Sequence, residues 1–194
     1  GPGPIFGTAK ESDLLFQLDR EARIQAVQNG SQLPVNKKIF INFMPTSIYD
    51  PEYCLRTTME AVKDFEVRKD QLVFEVVETE QVGDRENLVD ILDYYREKGV
   101  NIALDDFGAG YSSLSLLKDL NPDYIKLDLD LVQSVTENEL SAQLAENIIE
   151  TSKDHGIVTL AEGIETAEQL EWFQERGTDY LQGYLFSEPT ESPS

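Results

Sequence analysis

Six short stretches of this chain are apolar at nearly every position, and segments of helical period separate them: 39–43, 72–77, 100–104, 123–127, 157–161 and a shorter run at 180–181. A strand that faces water on one side alternates apolar with polar residues. Strands apolar throughout are covered on both faces, which implies a parallel sheet flanked by crossover helices. The intervening helices read clearly. Leu88, Ile91, Leu92 and Tyr95 fall on one face, and Glu97, Lys98 and Gly99 close that helix. Leu140, Leu144 and Ile148 make a second stripe, with Ala145 and Ile149 beside it. Thr166 and Gln169 make a capping box that opens a helix turning Leu170 and Phe173 inward. An opening helix over 11–29 carries Leu14, Leu18 and Ala22 on one face. An open doubly wound sheet of this kind usually has a Gly-rich first turn for nucleotides, and none is present. The expected fold class is therefore α/β, a TIM-type (β/α) barrel. Such barrels take about 250 residues and eight strands, so six strands in 194 residues leave this one two strands short.

The polar residues fall at the carboxyl ends of these strands. "IFIN" ends on Asn42, "LVFEVVE" carries Glu75 and Glu78, and "VNIALDD" ends on Asp105 and Asp106. "DYIKLD" carries Lys126 and Asp128, "IVTLAEGIE" carries Glu162 and Glu165, and "YLQGY" presents Gln182. In a (β/α) barrel these ends converge on the mouth where active sites lie. One Asn or Glu at a strand end is ordinarily a turn or solvated residue; six strands in succession are not. Asn42, Glu75, Asp105, Asp106 and Glu162 are hard oxygen donors, suited to Mg²⁺, Mn²⁺ or Ca²⁺. Such a set fits a two-metal phosphodiester site. Lys126 is the one cation among them: it orients or deprotonates water, neutralises phosphate, or pairs with Asp105 or Asp128. Gly108 and Gly110 permit a tight loop, and Ser112 or Ser113 suits the following helix cap.

Charge narrows the partners. Sixteen basic against 37 acidic side chains give a net charge of −21, which disfavours nucleic acid and anionic membranes. A phosphate-bearing ligand would need cations held by carboxylates. The lone Cys54 excludes an internal disulfide and suits a reducing, cytoplasmic setting. The lone His155, between a helix and a strand, reads as a helix-end cap rather than a base. No apolar run approaches the roughly 20 residues that span a bilayer. "GPGP" at residues 1–4 resembles a cleavage or cloning scar, 5–190 one domain and 191–194 a tail.

With these residues assembled, the chain resembles the EAL family of cyclic di-GMP phosphodiesterases. The matching stretches are "FINFMP", "VFEVVETE", "IALDDFGAGYSSL", "PDYIKLD", "LAEGIET" and "LQGYLFSEP", in the family's order. The resemblance implies hydrolysis of cyclic di-GMP to pGpG by two-metal activation of water. Mg²⁺ or Mn²⁺ would serve, and Ca²⁺ would bind without supporting turnover. It implies metal ligation by Asn42, Glu75, Asp105, Asp106 and Glu162, with Lys126 activating water or stabilising charge. Glu78 and Glu165 match positions that brace the glycine loop, and Asp106 and Gln182 match positions near metal and substrate. A homodimer and upstream regulatory domains in a larger parent are also implied.

Three departures accompany the resemblance. The Glu-Ala-Leu strand, with its ligand Glu and following Arg, is absent, in keeping with the two-strand deficit. Val77 replaces a Thr in the usual E-x-T-E, and Glu188 stands where a basic residue is common. The expected activity of this form is impaired. The competing expectation is an inactive module that binds cyclic di-GMP or a protein partner as a sensor. An unrelated barrel acting on another phosphoester is a third.

Overall fold

The computed structural model describes residues 5, 7–9, 12, 14–44, 51–77, 85–108 and 113–189, without the side chains of 77, 85 and 113–115. Glu78, Gly110 and Ser112, and the expected scar and tail, lie outside those residues. Among them the chain runs α1 (Leu15–Gly30), β1 (Ile39–Asn42), α2 (Pro51–Asp64), β2 (Leu72–Val77), α3 (Arg85–Glu97) and β3 (Asn101–Phe107). It continues α4 (Ser113–Leu120), β4 (Tyr124–Leu127), α5 (Leu129–Ser134), α6 (Glu139–Asp154), β5 (Val158–Ala161), α7 (Ala167–Glu175) and β6 (Tyr180–Leu181). All six expected strands are present. The chain divides into two compact units, the first holding the described residues through Val76 and from 85 to Asn101, the second Val77 and those from Ile102 onward.

In the first unit β1 and β2 pair in parallel, from Ile39 against Leu72 to Asn42 against Glu75. Leu72, Val73 and Phe74 are fully buried, as strands covered on both faces must be. Phe43, Phe74 and Tyr95 pack with ring centroids 5.3–5.6 Å apart, Tyr95 arriving from α3 together with buried Leu88, Ile91 and Leu92. That helix keeps the face read from its spacing. The opening helix does not. α1 buries Asp19, Arg23 and Val27, while Leu14 and Ala22 are exposed and Leu18 half-buried. Arg23, 1% exposed, lies 3.0 Å from Asp19 and donates to the Cys54 carbonyl and Thr58 hydroxyl of α2 at 3.3 Å each. A charge with that many partners can stay inside, where its stem fills space an aliphatic residue would otherwise take.

In the second unit β3, β4, β5 and β6 pair successively, all parallel. Tyr124, Ile125, Lys126 and Leu127 of β4 are all buried. Asp123 accepts from the Ile102 N–H at 2.8 Å, and Asp179 accepts from the Thr159 N–H at 2.8 Å. Each Asp stands just before its own strand and satisfies a free N–H at the start of the neighbouring strand, pinning the register. The capping box of Thr166 and Gln169 forms as expected. His155 is the C-cap of α6, its backbone N–H bonded to the Thr151 and Ser152 carbonyls. The stripe read on α6 needs correction: Ala145, Ile149 and Ser152 are buried, while Leu140 and Leu144 are exposed.

Candidate functional site

The second unit assembles a charged cluster from three successive strands. β3 does not end at Leu104; it runs through both aspartates to Phe107. Leu104 pairs with Ile125 and Phe107 with Leu127, so Asp105 and Asp106 stand opposite the single residue Lys126. This is a β-bulge, and it releases the two aspartates from strict alternation of faces. Asp106 adopts the left-handed backbone, φ 54°, at a cost of about 1–2 kcal/mol for a residue with a Cβ. Its N–H donates to Asp105 Oδ1 at 3.1 Å. Gly108, φ 106°, then turns the chain away, a conformation that glycine alone takes freely.

Lys126 Nζ lies 2.8 Å from Asp105 Oδ1 and 2.5 Å from Glu162 Oε1. Both Asp105 and Lys126 are buried, at 9% and 7% exposure, and Glu162, which follows β5, is half-buried. Of the two pairings open to Lys126, Asp105 is therefore realised. Asp128 instead caps α5, accepting from the N–H groups of Asp130 and Leu131. One ammonium against two carboxylates leaves a net negative charge in a poorly hydrated place, with Asp106 next in the chain. Hard oxygen donors with surplus negative charge are what a divalent cation complements, so this donor set fits one.

The first unit places Asn42 directly opposite Glu75 in register, at the carboxyl ends of β1 and β2. Glu75 is 5% exposed and its carbonyl accepts from the Phe43 N–H at 2.9 Å. Glu165 is exposed and its carboxylate accepts from Gln133 Nε2 at 3.1 Å. Gln182 is also exposed, but its backbone is fixed: its N–H donates to Ala161 O, and its carbonyl accepts from the Ile164 N–H, both at 2.9 Å. Gly183 makes that approach possible, since a Cβ there would fall 2.1 Å from the Ile164 carbonyl oxygen. Sequence reasoning missed Gln133, and it missed the register pins Asp123 and Asp179. The repeated Asp-Tyr at 123–124 and 179–180 was the available signal for the pins. Gln133 carried none.

A family model described as EAL domain matches residues 1–189. The chain belongs to the EAL domain family. Among curated EAL relatives it is similar to the probable cyclic di-GMP phosphodiesterase PdeG of Escherichia coli K12, with 35% identity covering 97% of this chain and 38% of that protein. The chain thus spans well under half the length of that relative. Among solved structures, a standalone EAL protein from Vibrio cholerae O395, in its cyclic di-GMP-bound form, is 34% identical with a TM-score of 0.88, covering 97% of this chain and 81% of that one. Klebsiella pneumoniae BlrP1, in a manganese and cyclic di-GMP complex, is also 34% identical with a TM-score of 0.88, covering 97% of this chain and 48% of that one. The fold is that of solved EAL domains, the TIM-type (β/α) class expected from the strand pattern.

Proposed function

We propose that this EAL domain hydrolyses cyclic di-GMP to linear pGpG. The observation that carries this reading is Lys126, buried at the bulge of β3 between Asp105 and Glu162. The names of PdeG and of the cyclic di-GMP-bound structures support the substrate. Asn42, Glu75, Asp105, Asp106 and Glu162 would hold divalent cations, Mg²⁺ or Mn²⁺. When bound, such cations supply Lewis-acid stabilisation of the phosphodiester and hydroxide at neutral pH. The chain's own residues do the rest. Asp105 and Glu162 hold the Lys126 ammonium in one place, where it offers a charge-assisted hydrogen bond to a phosphoryl oxygen or to the attacking water. Water oxygen bonds to phosphorus, the bond to one ribose 3′-oxygen breaks, and that oxygen takes a proton, opening the ring. The Gln182 amide, on a backbone bonded to residues 161 and 164, would bind substrate. Glu78 and Glu165 would brace the glycine loop.

The 194 residues contain no Glu-Ala-Leu, and Val77 removes a hydroxyl. We therefore expect slow turnover from this chain alone. Val77 also favours the second reading, a module that binds cyclic di-GMP without cleaving it. A homodimer, upstream regulatory domains and a cytoplasmic setting belong to the same proposal. The test incubates the protein with cyclic di-GMP and Mn²⁺ or Mg²⁺ and follows pGpG by chromatography, with Lys126→Met as control. Binding without any product, from a domain that carries the Glu-Ala-Leu strand, would establish the sensor and overturn the enzyme.

A further inference from the structure

The segment 162–166 connects β5 to α7 and carries Glu162. It contains Gly163 in the left-handed region, φ 74°, so its own backbone preferences do not settle where the Glu162 carboxylate stands. One side of the segment is tied to the residues after β6, through the Ile164 N–H to Gln182 O at 2.9 Å and the Leu185 N–H to Ile164 O at 3.0 Å. The other side is tied to α5, which begins three residues after Lys126.

That second tie is a closed ring of side-chain hydrogen bonds. Gln169, 5% exposed, accepts through Oε1 from the N–H groups of Glu165 at 2.9 Å and Thr166 at 3.1 Å. Its Nε2 donates to the carbonyl of Gln133 on α5 at 3.4 Å. Gln133 in turn donates through Nε2 to Glu165 Oε1 at 3.1 Å. A capping box accounts for only part of this. The cap needs Gln169 Oε1 on the Thr166 N–H, and Thr166 Oγ1 accepting from the Gln169 N–H, here 3.2 Å. The two bonds that cross to Gln133 contribute nothing to the start of α7.

We propose that Gln133 and Gln169 are positioning residues for Glu162. By locking segment 162–166 to α5, they fix the Glu162 carboxylate relative to Lys126 on the adjoining strand. The inference rests on the reading of Glu162 as a cation ligand. Partners that orient a metal ligand directly are worth about 10–100-fold in metal affinity. The clamp acts through the backbone, one step further out, so its loss weakens binding roughly three- to tenfold.

Three variants of the full chain separate positioning from capping. Gln169→Glu keeps a capping-box acceptor but loses the donor to Gln133. Gln133→Ala cuts the side-chain tie to Glu165, and keeps the backbone carbonyl that Gln169 donates to, at a half-buried position that plays no part in the cap. Thr166→Ala breaks the cap and leaves the link to α5. Mn²⁺ binding is measured by calorimetry without substrate, alongside thermal melts. Gln133→Ala and Gln169→Glu weaken Mn²⁺ roughly three- to tenfold, and Gln133→Ala melts within about 2 °C of the parent. Thr166→Ala lowers the melting temperature by about 2–4 °C and binds Mn²⁺ as the parent does. Parent-like Mn²⁺ affinity in Gln133→Ala and Gln169→Glu overturns the proposal, and so does an equal loss in Thr166→Ala. If the parent binds no Mn²⁺, the reading of Glu162 falls, and amide hydrogen exchange at Glu165 and Thr166 decides the clamp. Faster exchange in Gln133→Ala supports it, and unchanged exchange overturns it.

Discussion

Replacing Lys126 by Met removes the charge at the centre of the cluster while keeping an unbranched stem of similar reach. Nζ lies 2.8 Å from Asp105 and 2.5 Å from Glu162. At an effective dielectric of 20, each contact is worth about 6 kcal/mol before desolvation. Desolvation takes back several kcal/mol per ion, and breaking a buried pair from one side costs about 3–5 kcal/mol in practice. The Glu162 side chain is 26% accessible against 12% for Asp105, so water recovers part of that cost at Glu162. We expect a loss of about 2–4 kcal/mol without metal, roughly 5–15 °C in melting temperature for a chain of this size. Mn²⁺ should then stabilise the variant more than the parent, because carboxylates stripped of their ammonium gain more from a cation. Cyclic di-GMP cleavage should be lost even in the metal-stabilised variant. Urea and thermal unfolding with chelator and with Mn²⁺ provide the comparison. A metal-free stability unchanged to within about 0.5 kcal/mol would refute the reasoning, since Lys126 would then not be holding the carboxylates. Equal gains from Mn²⁺ would refute the link between the cluster and the metal.

Three further outcomes follow from the packing. Burial raises the Asp19 carboxyl above its ordinary value, with Arg23 drawing it part of the way back. A raised folded value means that this contribution is fully present below the ordinary carboxylate pKa and is lost as pH rises through the raised one. Arg23→Met should therefore cost about 3–5 kcal/mol near neutral pH and progressively less on acidification; a pH-independent loss in urea melts would contradict this. Gly183→Ala drives a Cβ to 2.1 Å from a backbone oxygen that cannot swing aside, so about 2–3 kcal/mol should be lost and amide exchange at Ile164 accelerated. Asp123→Ala orphans the Ile102 N–H at the start of β3 and should cost about 1–3 kcal/mol, read from the urea midpoint.

The strands were legible because covering both faces demands apolar residues at nearly every position, a pattern that no helix among the described residues shows. What pattern reading could not see were the places where a polar group finds its partner far away in sequence. α1 was assigned an aliphatic face, yet Asp19 and Arg23 go inside because each satisfies the other and Arg23 reaches Cys54 and Thr58 on α2. On α6 the spacing makes a stripe of Leu140, Leu144 and Ile148 with Ala145 and Ile149 beside it, and the buried face is Ala145, Ile149 and Ser152. Residue type singled out the candidate site: oxygen donors and one Lys at strand ends stand out by chemistry alone, and Lys126 does pair with Asp105 and Glu162. The Gln133–Gln169 bond joins residues 36 apart and leaves no local trace.

β3 joins both lessons. Its apolar run stops at Leu104, so two carboxylates looked like the point where the strand must end. The strand continues because the register with β4 jumps there, setting Asp105 and Asp106 against Lys126. In an unbroken ladder neighbouring aspartates would point to opposite faces, one of them into the apolar layer between sheet and helices, where a charge is costly. The bulge avoids this at the expense of a left-handed Asp106, and the ammonium opposite offsets the burial of Asp105. A fold optimised only for stability would place Val or Ile at both positions. A left-handed Asp106, a buried cation and adjoining carboxylates concentrated at one bulge are therefore not what packing alone would select, and it is on this bulge that the proposed function rests.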